Sequence, residues 1–229
     1  MTPREAPMAE ELVRAAYQDD DIAQRYDRAR FTSLRGRLGS DRDTRLVIRA
    51  IDDAHRGAPA SILDVACGSG RITAALVDRY PSCHIVGFDG SLQMLETAAA
   101  KPALRSRPFV HGDAVALPFD RGSFEVVTAV RFVGHLAPEP CLRLFAEMAR
   151  VARSLVVVDV SMASPLVDLR RRLERRIKGS YLGFDTEWTW RTFTPEELSD
   201  ALGAAGLELV SMRRKLAGWS DARVVAVKV

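Results

Sequence analysis

Cysteine is scarce in this chain of 229 residues, and its pattern excludes two common ways of cross-linking a fold. The three cysteines, Cys67, Cys83 and Cys141, are odd in number and contain no Cys-x-x-Cys pair. Neither a disulfide framework nor a zinc site is therefore predicted, and no metal cofactor is expected. With 47% hydrophobic residues, a chain of this length can build the core of one globular domain without such links.

Long apolar runs and a strong excess of one charge are also missing. No stretch is long enough to cross a bilayer, and the charged N-terminus does not have the pattern of a signal peptide, so we expect a cytoplasmic protein. The formal net charge of +3 is too small to predict a general attraction to nucleic acid. Lysine occurs only at Lys101, Lys178, Lys215 and Lys228, and the predominance of arginine is typical of GC-rich bacterial genomes.

From Ser61 onward the chain alternates between strand-like and helix-like segments. Short, apolar, β-branched segments predict strands at 62–66, 84–89, 108–111, 124–130, 155–160, 207–212 and 222–229. Helical spacing predicts helices at 71–79, 92–100, 138–151 and 195–205. Strands that are apolar on both sides indicate a mainly parallel sheet with helices on both faces.

The ends of this region have their own signals. Helical spacing of Ala, Leu and Tyr predicts helices from 5 to 53, with a polar interruption at 35–40. The last helix has a start signal, because Thr194 and Glu197 can form a capping box, and Gly206 is a suitable stop. We divide the chain at residue 55, into an N-terminal helical segment, 1–55, and one α/β domain, 56–229, with an insertion at 161–192.

The most informative segment is 61–73, in which an apolar run ends at an acid and a glycine pair follows. This order predicts a strand, a tight turn and a helix. Gly68 and Gly70 allow a sharp bend and the close approach of a ligand. A second acid, Asp89, closes the next apolar run, roughly 20 residues further on, where nucleotide-binding α/β folds hold ribose hydroxyls.

Residues 64–70, Asp-Val-Ala-Cys-Gly-Ser-Gly, resemble motif I of the class I S-adenosylmethionine (SAM)-dependent methyltransferases. Thr73 replaces the third glycine of NAD-binding turns, and together with the downstream order of elements this favours SAM over a dinucleotide. The similarity extends through 117–125, Leu-Pro-Phe-Asp with Phe-Glu at its end, a pattern of the quinone and natural-product branch, and through 193–198. The resemblance implies a Rossmann-like sheet of seven strands in the order 3-2-1-4-5-7-6, strand 7 antiparallel, with an N-terminal helical lid and a cap insertion.

The same resemblance implies SAM as the cofactor and S-adenosylhomocysteine as its product. Asp64 would pair with the ammonium group, directly or through water, and Asp89 would take both ribose hydroxyls. Asp113 would accept a hydrogen bond from the adenine amino group, and the turn N–H groups suit the carboxylate. Met94 either packs against the ring or fills the core. The implied cofactor-binding residues of the α/β domain are Asp64, Ala66, Gly68, Gly70, Asp89, Gly90, Met94, Gly112, Asp113, Ala114 and Val130.

The N-terminal helices carry aromatic residues that resemble the lid segment of many members of this family. Tyr17 is followed by residues 26–31, Tyr-Asp-Arg-Ala-Arg-Phe. Tyr17, Tyr26 and Arg30 are candidates to reach the cofactor's aminocarboxylate group or the substrate. Their alternative role is to pack the helices together.

The segment after the fourth strand, 129–136, is where the resemblance places the transferred methyl group, and open α/β sheets bind ligands outside the carboxyl ends of their strands. His135 is a candidate general base because its unperturbed pKa lies near neutrality; alternatively it orients the next helix. Arg131 is a candidate to bind an acidic substrate or, instead, a loop carbonyl. Transfer from a sulfonium depends largely on positioning, so a base is not required.

The insertion at 161–192 is implied to be a substrate cap. Between 166 and 177, apolar residues share one helix face and arginines cover the rest, which suits either a solvated helix or a landing site for an anion. Tyr181, Trp188 and Trp190 either line an aromatic or apolar substrate pocket or anchor the cap.

These features predict a SAM-dependent methyltransferase that modifies O or N of a small, anionic or aromatic natural-product acceptor. Residues 131–134 lack the Asn/Asp-Pro-Pro-Tyr/Phe motif of nucleic-acid methyltransferases, so no nucleic-acid partner is expected. The alternatives are carbon methylation of a quinone-type ring and a SAM-binding protein that catalyses a non-methylating step. A homodimer is compatible with the sequence.

Overall fold

A seven-stranded sheet forms the centre of the computed structural model, which describes residues 34–55, 57–163, 191–214 and 222–228. The strands are β1 (Ser61–Val65), β2 (His84–Asp89), β3 (Phe109–His111), β4 (Phe124–Ala129), β5 (Ala152–Ser161), β6 (Glu208–Arg214) and β7 (Ala222–Lys228). The helices are α1 (Leu34–Ala54), α2 (Arg71–Arg79), α3 (Leu92–Ala99), α4 (Pro138–Val151) and α5 (Pro195–Ala204). Short 3₁₀ turns lie at Pro102–Leu104 and Val133–His135.

The sheet has the predicted order β3-β2-β1-β4-β5-β7-β6. Strands β1, β2, β3, β4 and β5 are parallel to their neighbours, and β7 runs antiparallel to both β5 and β6. Chain order runs outward from β1 in one direction and from β4 in the other, so these neighbouring strands form the switch point of the sheet. Ligands of open α/β sheets bind at the carboxyl ends of the strands at this point.

Helices cover both faces of the sheet, as the doubly apolar strands predict. Alternate residues of β1 enter different clusters: Leu63 lies in the core with α4 and α5, whereas Ile62 lies in the core with α1 and α2. Phe145 and Leu198 represent the first cluster, and Val47 represents the second. All five side chains are buried, so the strand ends are held by packing on two sides.

The predicted interruption at 35–40 is wrong, because α1 continues without a break from Leu34 to Ala54. Each of Gly36 and Gly39 costs a helix about 1 kcal/mol relative to alanine. Further along α1, Val47 and Ile51 are fully buried against the sheet, and each such side chain contributes about 1.5–3 kcal/mol. Tertiary packing therefore outweighs the local signal. The division at residue 55 stays a prediction, and residues 1–33 lie outside the described part.

The insertion leaves and re-enters the sheet at neighbouring points. The backbone N–H of Phe193 donates to the carbonyl of Ser161 at 2.9 Å, and the N–H of Ala163 donates to the carbonyl of Phe193 at 2.7 Å. The helix that follows, α5, begins at the predicted capping box, in which Thr194 and Glu197 exchange side-chain-to-backbone hydrogen bonds. Both ends of the insertion are thereby fixed at the carboxyl end of β5.

Candidate functional site

The turn between β1 and α2 brings backbone N–H groups to the carboxyl edge of the sheet. The N–H of Cys67 donates to Phe88 at 3.0 Å, which extends the pairing of β1 with β2 by one step. The N–H of Gly70 closes the turn on the carbonyl of Cys67 at 3.0 Å. Gly68 and Gly70 have φ angles of 54° and 75°, a left-handed conformation that favours glycine. Helix α2 then starts at Arg71, so its N-terminus faces this edge.

The two glycines of this turn are needed for different reasons. A Cβ at Gly68 would meet nothing within 4 Å, whereas a Cβ at Gly70 would lie 2.6 Å from Leu104 and 2.9 Å from Ala98. Gly70 therefore allows close packing against α3 and the following turn. Gly68 borders the space in which a ligand can lie. Cofactor binding by the Gly70 backbone stays a prediction.

Asp89 joins the end of β2 to the glycine turn. One carboxylate oxygen accepts a hydrogen bond from the N–H of Gly68 at 2.7 Å, and the other accepts one from Ser91 at 2.9 Å. Burial raises the pKa of Asp89, and the backbone N–H groups act in the opposite direction. The side chain is half-buried, so it keeps a surface for a ligand beside Gly68.

The loop after β3 lies next to Asp89 at the same edge of the sheet. The N–H of Gly112 donates to the carbonyl of Asp89 at 3.1 Å, and a ring nitrogen of His111 lies 3.1 Å from the carbonyl of Gly90. Asp113 is exposed and follows directly. His111 was not among the predicted site residues, although a histidine at the end of a predicted strand is a signal. The structure therefore brings together the predicted residues of the adenosine side.

Two further predicted residues on this side are buried. Met94 on α3 and Ala114 after β3 are 3% and 9% exposed. Met94 has little surface left for a ligand, which favours its alternative role as a core residue. Contact of either residue with the adenine ring stays a prediction.

Two residues of α4, Arg150 and Glu147, form a clasp that holds the segment 117–119, which follows the loop after β3. The guanidinium of Arg150 donates to the carbonyls of Leu117 and Phe119 at 2.9 and 2.7 Å and is bonded to Glu147. Glu147 in turn accepts the N–H of Leu117 at 2.7 Å. The ring of Phe119 packs edge-on against Phe88. The Leu-Pro-Phe pattern therefore has a structural role in positioning the loop after β3, which carries residues predicted to bind adenine.

Asp64, the motif acid, is enclosed within the protein. Its side chain is 1% exposed and accepts hydrogen bonds from the hydroxyls of Thr73 at 2.7 Å and Thr128 at 2.8 Å. Burial raises the pKa of Asp64 to about 6, although both hydroxyls lower it. The carboxylate thus ties β1 to α2 and β4. Its observed contacts are internal, and a pairing with a cofactor ammonium group stays a prediction.

Two non-glycine residues with a left-handed backbone mark the ends of β1 and β4. Ala66 has φ 53° and Arg131 has φ 64°, and the strands end side by side because Val65 pairs with Ala129. Such residues store about 1–3 kcal/mol of strain and cluster at functional sites. Val130, between β4 and Arg131, is buried. The crevice between the two strand ends is therefore the candidate site.

Helix α1 reaches both sides of this crevice. Asp43 lies 3.6 Å from the guanidinium of Arg131, and Asp43 is buried. The neighbouring Thr44 accepts a hydrogen bond from Arg71 at 3.3 Å. Consecutive residues of α1 therefore hold one arginine after each of the two strands. Asp43 and Arg131 lie far apart in the sequence, so no local signal pointed to this contact.

His135 ends the 3₁₀ turn after β4 and is half-buried. The backbone N–H of His135 donates to the carbonyl of Phe132 at 2.8 Å. The carbonyl of the preceding residue, Gly134, accepts a hydrogen bond from the backbone N–H of Arg191 at 2.8 Å. The returning end of the insertion thus contacts the turn that carries His135. Roles of His135 and Arg131 in chemistry stay predictions.

Several predicted residues lie outside the described part of the chain. They are the lid candidates Tyr17, Tyr26 and Arg30, the aromatic candidates Tyr181, Trp188 and Trp190, and the arginine-rich stretch at 166–177. Within the described ranges, no three His, Cys, Asp or Glu side chains are grouped in a way that could hold a metal ion. No helix in those same ranges has the length and apolar character needed to span a bilayer.

Comparison with known proteins adds independent information. A family model described as a methyltransferase domain matches residues 62–154. A demethylmenaquinone methyltransferase of Roseiflexus castenholzii is 33% identical over 204 residues, which cover 80% of this chain and 77% of that protein. The corresponding enzyme of Thermus thermophilus is 39% identical over 110 residues, 47% of this chain and 48% of that protein.

The likeness extends to solved structures. A magnesium protoporphyrin IX methyltransferase from Synechocystis, solved with S-adenosylhomocysteine, superimposes with a TM-score of 0.75. It shares 14% sequence identity, over 96% of this chain and 99% of the other, so this match supports the fold alone. The chain spans less than half the length of the first curated relatives that it matches.

Proposed function

The chain belongs to the class I SAM-dependent methyltransferases, and on this basis we propose that it transfers a methyl group to a small-molecule acceptor. Members of this family are enzymes, and the predicted family and its SAM cofactor are confirmed. The reaction that this chain catalyses and the acceptor that it methylates are the subject of the proposal.

The arrangement around Gly68 carries this proposal. The Gly68 N–H donates to the carboxylate of Asp89 at 2.7 Å, and a Cβ placed on Gly68 would meet nothing within 4 Å. The residues present therefore fit a nucleoside with an attached amino acid: Asp89 would hold the ribose, the turn would hold the carboxylate, and Asp113 would meet the base. When bound, SAM supplies an electrophilic methyl group with a good leaving group.

The protein's own residues would then position an acceptor at the end of β4. Orientation of the reacting atoms supplies much of the rate in such a displacement. For an acceptor hydroxyl or amine, His135 would take the proton that the acceptor loses. Arg131, held by Asp43, would orient an acidic group of the acceptor.

Oxygen or nitrogen is the first candidate acceptor atom, because His135 offers a base beside β4. A ring carbon of a quinone-type acceptor is the second candidate. It is supported by relatives named demethylmenaquinone methyltransferases and by the Leu-Pro-Phe pattern at 117–119. A base is less important for an electron-rich ring, since ring activation supplies the nucleophile.

The cofactor site is tested by titrating the protein with S-adenosylhomocysteine in a calorimeter. We expect binding by the wild type, and a loss of about 10- to 100-fold in Asp89→Ala, from the loss of charge-assisted hydrogen bonds. Asp78→Ala, at an exposed position on α2, is the matched control and should bind normally. Absence of binding by the wild type would contradict the proposal.

The acceptor atom is tested with isotopically labelled SAM. A hydroxynaphthalene, an aminonaphthalene and a reduced naphthoquinone would be offered in parallel. Carbon NMR of the product separates a methyl group on O, N or C by chemical shift. Label on a ring carbon would replace the first candidate with the second, and His135→Gln should then have little effect.

A further inference from the structure

Arg191 lies against the turn that follows β4, although no sequence motif pointed to it. Its backbone N–H donates to Gly134 at 2.8 Å, and Gly134 directly precedes His135. Two residues later, Phe193 is anchored between Ser161 and Ala163 at the end of β5. The backbone of Arg191 is therefore fixed at the carboxyl edge of the sheet.

The guanidinium of Arg191 lies over an aromatic ring. Its central carbon lies 4.6 Å from the centroid of Phe193, which is fully buried. Attraction between a cation and an aromatic face restricts the position of the guanidinium and does not consume N–H donors. The ring contact therefore holds the side chain without a hydrogen bond at Nε.

One of those donors has no acceptor. The Nε atom of Arg191 is buried and has no hydrogen-bond partner in the structure. Among ion pairs formed within the described ranges, Arg131 has Asp43 and Arg150 has Glu147, but none involves Arg191. A buried cationic donor without an acceptor is unfavourable, and a ligand oxygen would relieve that cost.

The positive charge of Arg191 also reaches the protein interior. Burial raises the pKa of Cys141 to about 11, and the charge of Arg191 is the influence that lowers it. Cys141 is fully buried in the first turns of α4, directly after the His135 turn. A charge close to buried groups attracts an anion more strongly than a charge in bulk water.

We propose that Arg191 binds an anionic oxygen of the methyl acceptor, so that the enzyme selects acceptors with a carboxylate or an ionised ring hydroxyl. This inference rests on the proposed function, since it takes the β4 turn as the acceptor site. Arg191 contributes affinity and orientation: its planar N–H edge meets the oxyanion, and the reacting atom lies towards His135.

The test uses 1-hydroxy-2-naphthoate and its methyl ester as an anionic and a neutral probe of equal ring size. Both are titrated by calorimetry into protein saturated with S-adenosylhomocysteine. We expect the wild type to prefer the acid by about 10-fold or more, the ratio that a charge-assisted hydrogen bond provides. Arg191→Gln should abolish this preference, and Arg191→Lys, which keeps the charge, should retain part of it.

Arg143→Gln is the matched control, because Arg143 is an exposed arginine on α4 and its replacement changes the net charge equally. It should leave the preference intact. The inference is overturned if the wild type binds neither probe, if it binds acid and ester equally, or if the preference survives in Arg191→Gln. Failure of S-adenosylhomocysteine to bind the wild type would instead refute the proposed function, and the probes are therefore also titrated without it.

Discussion

The carboxylate of Asp64 accepts a hydrogen bond of 2.8 Å from the hydroxyl of Thr128 on the neighbouring strand. Together with Thr73 on α2, this contact places a titratable group in the interior, directly below the candidate site. The motif acid is therefore a structural link between β1, β4 and α2, and the link has consequences for stability.

Burial of Asp64 makes the stability of the protein depend on pH. The pKa of Asp64 is raised from 3.8 to about 6, so folding favours its protonated form. The stabilising contribution is complete below about pH 4 and is lost as the pH rises through 6. The difference corresponds to about 3 kcal/mol. We therefore expect Asp64→Asn to exceed the wild type in free energy of unfolding at pH 8, and the difference to shrink towards pH 4.

Urea denaturation of both proteins between pH 4.5 and 8 measures this effect. Comparing the two proteins cancels the contributions of other carboxylates. A difference that does not change with pH would contradict the expectation.

The glycine turn offers a comparison of packing with ligand access. Alanine at Gly70 should destabilise the protein by the strain of its positive φ, about 1–2 kcal/mol, and by a further 1–3 kcal/mol of overpacking against Leu104. Alanine at Gly68 should cost the strain alone, yet weaken S-adenosylhomocysteine binding, because its Cβ enters the open space.

Gly122→Ala supplies the reference for strain. Its φ of 66° is also positive, its Cβ would meet nothing within 4 Å, and it lies before β4, at the opposite end of the strand. Urea denaturation and calorimetry separate the two effects. Equal stability of the Gly70 and Gly122 variants would disprove the packing role.

The clasp of Arg150 and Glu147 should stabilise the segment 117–119, which follows the loop after β3. Arg150→Met removes bonds to the carbonyls of Leu117 and Phe119, and we expect a loss of about 1.5–3 kcal/mol in free energy of unfolding. The exposed Arg153, which bonds to the carbonyl of Gly122, is the control, and Arg153→Met should cost about 0.5 kcal/mol or less.

The same variant should change the response to acid. The bond from Arg150 lowers the pKa of Glu147, so its contribution to stability is present above about pH 4.5 and is lost as the pH falls further. Arg150→Met should lack this part of the acid response. Urea midpoints at pH 3.5, 4.5 and 7 test this, and identical pH profiles for variant and wild type would count against the clasp.

Local signals were sufficient for much of the fold. Helix α2 occupies the predicted range, Arg71–Arg79, because Gly70 sets its start, and α5 begins at the predicted capping box of Thr194. The strand order followed from a family resemblance, since alternation alone gives the elements but not their neighbours.

Contacts between distant residues were not predictable. Asp64 and Thr128 are separated by 64 positions, so the internal role of the acid could not be read from its motif. The continuity of α1 depends on burial against strands much later in the chain. Arg191 has no local pattern at all, and only the folded contact with Gly134 identifies it.

The hydrogen bonds that join Ser161, Ala163 and Phe193 also bear on how this protein can diversify. They hold the two ends of the insertion together at the carboxyl end of β5, so the sheet does not require a particular length of chain between these anchors. The entropic cost of closing a segment grows only slowly with its length, and a shorter or longer segment adds little cost. Under the proposed function, exchange of this segment would change the acceptor range and leave Gly68 and Asp89 in place.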